Sequence, residues 1–282
     1  MVIWLGQSAA VATVGAKTAQ LSRLAHHYPV PEGFALPVAA FTQWVADGTP
    51  AYLPPIWQGT VAAAYQQLAT RTDSTEPPVA VRSSAVDEDG QHASFAGQYE
   101  SYLNVRGGAA LTAAIVACWQ SAFGERVQHY RQQGAVMPTD QPLAVLVQQM
   151  VPADLALVAF SRHPVPQQPE VVINATWGLG QSIVDGSTTP DTYVVRHSDG
   201  AVVAQTIGDK ASMTILQTAG VKQIPTPRPM RSQAVLNATQ IQEVTHLTLQ
   251  LEAEMGWPVD IEAAYRHHQL HLLQCRPITT AR

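Results

Sequence analysis

Late in the sequence, Val259-Asp-Ile-Glu262 and Leu273-Gln-Cys-Arg-Pro277 carry four polar side chains that two short strands can bring together. Side chains alternate faces along a strand, so Asp260 and Glu262 share one face while Ile261 takes the other. By the same rule Gln274 and Arg276 share a face, opposite Leu273 and Cys275. The two pairs meet only if Glu262 lies across from Gln274, which requires an odd-length loop or a bulge around His267-His268-Gln269. A one-residue slip would turn both carboxylates against the apolar face, so register is strongly specified. Two carboxylates, an amide oxygen and a guanidinium then stand together, and such oxygen ligands suit Mg²⁺ shared with substrate phosphates. The same spacing also fits a polar edge hairpin with one ion pair.

Two further segments have phosphate chemistry. Val79-Ala-Val-Arg-Ser-Ser-Ala85 ends an apolar strand on Arg82 and two hydroxyl residues, followed by Asp87-Glu-Asp-Gly90 and Ala93-Ser-Phe-Ala-Gly97. A cation beside a loop of small residues can cradle phosphate with backbone N–H groups; Arg82 pairing with the local acidic cluster is the plainer alternative. Gly15-Ala16-Lys17 opens a helix, whose N-terminus attracts anions while Lys17 adds a point charge. That segment does not have Walker A spacing, and a solvated first-turn lysine reads equally well. Trp177-Gly-Leu-Gly180 with Thr189-Pro-Asp191 reads as a structural glycine turn beside strands. No Ser/His/Asp or Cys arrangement forms a recognisable nucleophile.

These residues must be positioned by a helix-rich first half and a strand-rich second half, a mixed α+β class. Leu21, Leu24 and Ala25 give helical spacing over 15–27, Phe34–Leu36 a short strand, and Pro37 the first turn of a helix through about Ala46. Helices are expected near 58–71 and over 109–134, where Trp119 and Phe123 at i, i+4 read as core. Met137-Pro-Thr-Asp-Gln-Pro142 looks like a linker, dividing the chain into subdomains 1–140 and 141–282. Beyond it, β-branched runs at 143–151, 155–160, 171–175, 193–196 and 202–207 read as strands. Ile224-Pro-Thr-Pro-Arg-Pro229 reads as a surface loop. Asn237 or Thr239 caps a helix from about 240 to 255, and the hairpin 259–265/270–276 closes the sequence.

Composition narrows the function classes. The chain has 282 residues, 46% hydrophobic and only 13% charged, with a formal net charge of −5. There is no electrostatic footprint for nucleic acid. Two distant cysteines, Cys118 and Cys275, argue against a disulfide framework or a zinc site. No apolar run reaches the ~18 residues of a membrane helix, and the first residues lack a basic signal-peptide n-region. A soluble, cytoplasmic globular protein is expected.

Read together, the segments resemble the N-terminal nucleotide-binding domain of phosphoenolpyruvate synthase and pyruvate phosphate dikinase, shared with rifampicin phosphotransferases. The matching order is VGAKTAQLSRL (14–24), VPEGFAL (30–36), VAVRSSAVDEDGQHASFAGQYESYLNV (79–105) and CWQSAFGERVQHYR (118–131). It continues with LAVLVQQMV (143–151), ATWGLGQSIVDGSTTPDTYVV (175–195) and DIEAAYRHHQLHLLQCRPIT (260–279). The resemblance implies an ATP-grasp-like fold of two subdomains with the nucleotide cleft between them. It implies ATP and Mg²⁺ as ligands, with Lys17, Arg82 and Arg276 as catalytic cations. Ser94, Phe95, Ala96 and Gly97 would form the small-residue loop over the phosphates. Gln149, Met150 and Val151 would pass the adenine, offering backbone hydrogen bonds. Glu262 and Gln274 would hold the metal, with Asp260 and Arg276 beside them.

Three departures from the family accompany the match. Ala16 stands where a second glycine is usual, so the Lys17 loop is expected to be stiffer or displaced. Ala156-Leu157 replaces a Ser-Gly pair, and a leucine there is expected to crowd the cleft. Family members also continue into a phosphohistidine domain and a substrate domain, which these residues do not include. The expected activity is therefore an ATP-dependent phosphotransferase module passing phosphate to a histidine on a separate chain, or to another acceptor. A non-catalytic nucleotide sensor and a domain of a longer enzyme are the alternatives.

Overall fold

A computed structural model describes residues 1–86, 101–123, 142–163 and 168–278. The chain divides into two units, Met1–Met150 with Thr218–Gly220, and Val151–Gln217 with Val221–Arg282. The α+β class expected from the sequence is present, with antiparallel sheets and helices in both units.

The first unit is built on a five-stranded sheet of β1 (Ile3–Trp4), β2 (Gly33–Leu36), β3 (Val79–Ala85), β4 (Ser101–Val105) and β5 (Leu143–Gln149). Their order is β1-β2-β5-β3-β4, and every pairing is antiparallel. β5 is a nearly unbroken apolar run because both of its faces are buried. Leu143, Val145 and Val147 join a core with α2 (Val38–Ala46), α3 (Pro55–Arg71) and α4 (Gly108–Ser121). In that core Trp44 and Trp119 lie 5.4 Å apart and Phe41 stacks on Phe123 at 6.3 Å, the packing expected of the i, i+4 pair. The alternate residues of β3 and β5 face α1 (Val11–Leu24). Because β5 is central to this sheet, the division falls at Met150/Val151, later than the 140/141 boundary read from the prolines.

The second unit holds a six-stranded antiparallel sheet. Its strands are β6 (Leu155–Phe160), β7 (Glu170–Trp177), β8 (Asp191–Arg196), β9 (Val202–Thr206), β12 (Val259–Arg266) and β13 (Gln269–Pro277), in the order β13-β12-β6-β7-β8-β9. Helix α5 (Ala238–Met255) packs on β12, β6 and β7. Asn237 caps it with a reciprocal capping box to Gln240, and Gly256 ends it in the left-handed conformation. Val244 and Leu251 on the helix and Ile261 and Ile173 on the sheet are fully buried.

A separate two-stranded sheet, β10 (Ser212–Leu216) with β11 (Val221–Pro225), was not legible as strands. It corrects the expected loop at 224–229: Ile224 and Pro225 pair with Met213 and Ser212, and Arg228–Arg231 is a short helix. The Trp177–Gly180 turn is where β10 docks. Leu179 donates its N–H to Thr214 O at 2.9 Å, and Gly178 has φ 74° with Thr214 O only 2.3 Å from where a Cβ would stand. Only glycine fits there.

One charge pair lies at the heart of this unit. Asp191 and Lys210 are both fully buried and bonded to each other. Asp191 Oδ1 also accepts from Gly208 N at 3.0 Å, while Oδ2 accepts from Val235 N at 2.7 Å and Tyr193 OH at 3.2 Å. Lys210 Nζ donates further to Gly208 O at 2.9 Å. Burial pushes the Tyr193 hydroxyl up to about 12, so the phenol stays protonated. One carboxylate thus ties β8 to two chain segments on either side of the β10–β11 hairpin.

Candidate functional site

The closing hairpin has the register that brings its polar residues together. Asp260 lies opposite Arg276, Ile261 opposite Cys275, and Glu262 opposite Gln274. The irregularity that permits this is not around His267–Gln269, as the spacing suggested. His267 and His268 form a two-residue turn with φ 46° and 67°, and the strands pair in register from Arg266/Gln269 to Ala263/Leu272. The bulge falls between Glu262 and Ala263, with Leu273 as the extra residue. Without it Gln274 would face Ile261 and Arg276 would face Val259. The bulge sets the site.

On that face the Arg276 Nε and Nη2 donate to Asp260 Oδ2 at 2.8 and 2.7 Å. The other oxygen, Asp260 Oδ1, is buried and accepts no hydrogen bond among the described residues. Burial raises the Asp260 pKa; Arg276 opposes that shift and the Glu262 charge adds to it. The row of Glu262 and Gln274 continues across the sheet through Val158, Asn174 and Thr192. Thr192 Oγ1 donates to Asn174 Oδ1 at 2.9 Å. Sequence reading did not single out Asn174, whose only signal was one amide inside an apolar strand.

Cys275 and Ile261 occupy the opposite face and are buried, at 1% and 0% exposure. Leu157 is there as well, opposite Ala263 and Ala175, so it lies under α5 and cannot crowd the face carrying Glu262. That removes the expected crowding. Cys275→Ser is expected to lower stability by about 1–3 kcal/mol, because it puts a hydroxyl into this packed layer. Nucleotide affinity should hardly move, and thermal melts with and without ATP would separate the two effects.

In the first unit, Arg82 and Ser84 share the β3 face turned to α1. Helix α1 begins at Val11, earlier than expected, and breaks at Gly15, where φ is 74° and ψ 165°. Ala16 and Lys17 therefore sit at the start of a second helical segment, and Ala16 is buried there without displacing Lys17 from β3. Lys17 Nζ donates to Ser83 O at 3.0 Å, which places the ammonium beside the strand that carries Arg82. The expected loop Ser94, Phe95, Ala96 and Gly97 lies outside the described residues, as do the 124–134 part of the long helix and most of the expected linker.

At the expected adenine strand, the Gln149 and Met150 N–H groups are already bonded to Glu32 O and Pro78 O, each at 2.8 Å. Neither amide is available to a base. Backbone donation would fall to Val151, whose carbonyl accepts from Ala153 N at 2.8 Å. Among the described residues no group of three or more His, Cys, Asp or Glu side chains is arranged to hold a metal ion. No described helix is long and apolar enough to cross a membrane.

Lys17 thus stands beside β3 in the first unit, and Glu262, Gln274, Asp260 and Arg276 stand on the closing hairpin of the second. Residues 49–282 match the family described as "Pyruvate phosphate dikinase, AMP/ATP-binding domain", and the chain belongs to that family. It is 34% identical over 277 residues to the "Uncharacterized phosphotransferase YvkC" of Bacillus subtilis, covering 94% of this chain and 33% of that protein. It is 30% identical over 303 residues to a "Probable phosphoenolpyruvate synthase" of Methanothermobacter thermautotrophicus, covering 96% and 44%. The "Prodigiosin synthesizing transferase PigC" of Serratia marcescens is 32% identical over 283 residues, covering 95% and 32%. The chain thus spans less than half the length of each of these relatives.

Proposed function

We propose that this chain binds Mg·ATP and serves as the ATP-binding module of a phosphotransferase, handing a phosphoryl group to a histidine on a separate domain or chain. The observation that carries the reading is the hairpin register, with Glu262 opposite Gln274 and Arg276 locked onto Asp260. The relatives' names support it, since they include an "Uncharacterized phosphotransferase" and a "Probable phosphoenolpyruvate synthase". Leu157 beneath the sheet removes one reason to read the chain as a non-catalytic sensor. With ATP as ligand, the cytoplasm is the proposed compartment.

The residues present fit a divalent cation. Glu262 and Gln274 supply oxygen donors of the kind Mg²⁺ takes alongside phosphate and water, and the orphaned Asp260 Oδ1 is a buried acceptor beside them. When bound, the ion would neutralise phosphate charge. Lys17 and Arg82 would bind phosphate oxygens through charge-assisted hydrogen bonds. Asp260 holds the Arg276 guanidinium to one orientation, so its charge is in place before phosphate arrives. Phosphoryl transfer of this kind depends on positioning and charge stabilisation more than on covalent chemistry by the protein.

Calorimetric titration with Mg·ATP is the direct test. Binding is expected for the wild type, and Lys17→Ala and Arg82→Ala should each weaken it by about 1.5–3 kcal/mol, the range for hydrogen bonds to charged groups. Melting temperature without ligand should change little, because both side chains are partly exposed. ATP labelled separately at the β and γ positions, offered with candidate phosphohistidine domains, would identify the phosphate moved. No binding of ATP with or without Mg²⁺ would sink the reading.

A further inference from the structure

The break in α1 is held open by a side chain from another element. In an unbroken helix the Thr18 N–H would bond to Val14 O, four residues back. The Ser84 hydroxyl stands between them instead: it accepts from Thr18 N at 3.1 Å and donates to Val14 O at 2.8 Å. One hydroxyl can do both at once, and so it substitutes for the helical bond it interrupts. Ser84 is 0% exposed, and Val14 and Thr18 are 0% and 1% exposed, so neither backbone group can turn to bulk solvent. Gly15 makes room for the wedge. Its φ is 74°, and a Cβ there would lie 2.0 Å from Ser84 O and 2.4 Å from Ser84 Oγ.

We infer that Ser84 is a positioning residue for Lys17, acting through this wedge. The residue after the break begins a new helical segment, and Lys17 in its first turn donates to Ser83 O, the neighbour of the wedge. Loss of the hydroxyl leaves two buried backbone groups whose simplest remedy is to bond each other by straightening the helix through Gly15. That closure rotates Lys17 relative to β3, and with it relative to Arg82. The proposal rests on the reading that Lys17 binds ATP phosphate.

A double-mutant cycle on the full chain, read by Mg·ATP calorimetry and by melting without ligand, tests it. Ser84→Ala should weaken ATP binding about tenfold in the wild-type background, the scale of one charge-assisted contact. In the Lys17→Ala background it should cost no further affinity, while lowering the melting temperature equally in both. Ser84→Cys keeps a weak donor and acceptor in similar volume, so its loss should be intermediate; it carries the test if the alanine variant does not fold. Equal affinity losses in the two backgrounds, or none in either, would overturn the proposal while leaving the Lys17 assignment intact. Normal ATP binding by Lys17→Ala alone would remove that assignment and the proposal together.

Discussion

Glu262→Gln is expected to lower Mg²⁺-dependent phosphoryl transfer at least about 100-fold, the scale of losing one preorganised electrostatic contact to a transition state. The substitution keeps the size and shape of the side chain, so it tests charge rather than packing. Glu262 stands opposite Gln274 and helps raise the pKa of Asp260 through like-charge repulsion. Removing its charge relieves that repulsion, and apo stability should hold or rise. The Mg²⁺-dependent part of ATP affinity should fall with turnover, whereas affinity measured in a chelator should not. The opposite pattern, an unfolded hairpin with Mg·ATP binding intact in what remains folded, would make this hairpin structural and remove the main support for a phosphotransferase site.

The largest expected change in stability comes from the buried Asp191–Lys210 pair. Asp191→Ala leaves Lys210 buried without its counter-ion and strips acceptors from Gly208 N and Val235 N. Removing one partner of a buried pair costs about 3–5 kcal/mol, which in a chain of this size lowers the melting temperature by about 10 °C. Asp191→Leu combined with Lys210→Met should recover only the part of that loss due to the unpaired ammonium, because Gly208 N and Val235 N still lack their acceptors. Hydrogen exchange gives a local readout: protection of the Gly208 and Val235 amides should collapse in the single variant. If the single variant melts within about 2 °C of wild type, the pair is not the anchor described here.

Alternation made the two faces of β12 readable, because Asp260 and Glu262 flank Ile261 and the sequence required one polar and one apolar side. It could not locate the bulge. A turn of two histidines at positive φ offers none of the Gly or Asn signals that mark such turns, so the sequence points to the loop for an irregularity that lies at Leu273. The helix at Lys17 was legible from Leu21 and Leu24. Its break was not, because the wedge that explains Gly15 comes from Ser84 on a strand far along the chain. β10 and β11 escaped because they form their own ribbon of two five-residue strands, largely exposed or half-buried and ending on a proline, in place of a buried apolar run. Lys210 was invisible as a buried charge, since nothing in its neighbours distinguishes it from an exposed lysine.

The extra residue at Leu273 constrains which length changes this hairpin can survive. Between its tip and Glu262 the strands pair one to one, so the turn can gain or lose residues in matched pairs without disturbing the base. A single deletion in β13 between the turn and Gln274 changes the parity. It can be absorbed without loss only by consuming the bulge, which keeps Gln274 and Arg276 on the carboxylate face. A second single deletion finds no reserve. It exchanges Gln274 for Cys275 and buries a guanidinium beneath α5. Homologous hairpins that differ in length by an odd number should therefore also differ in the presence of this bulge.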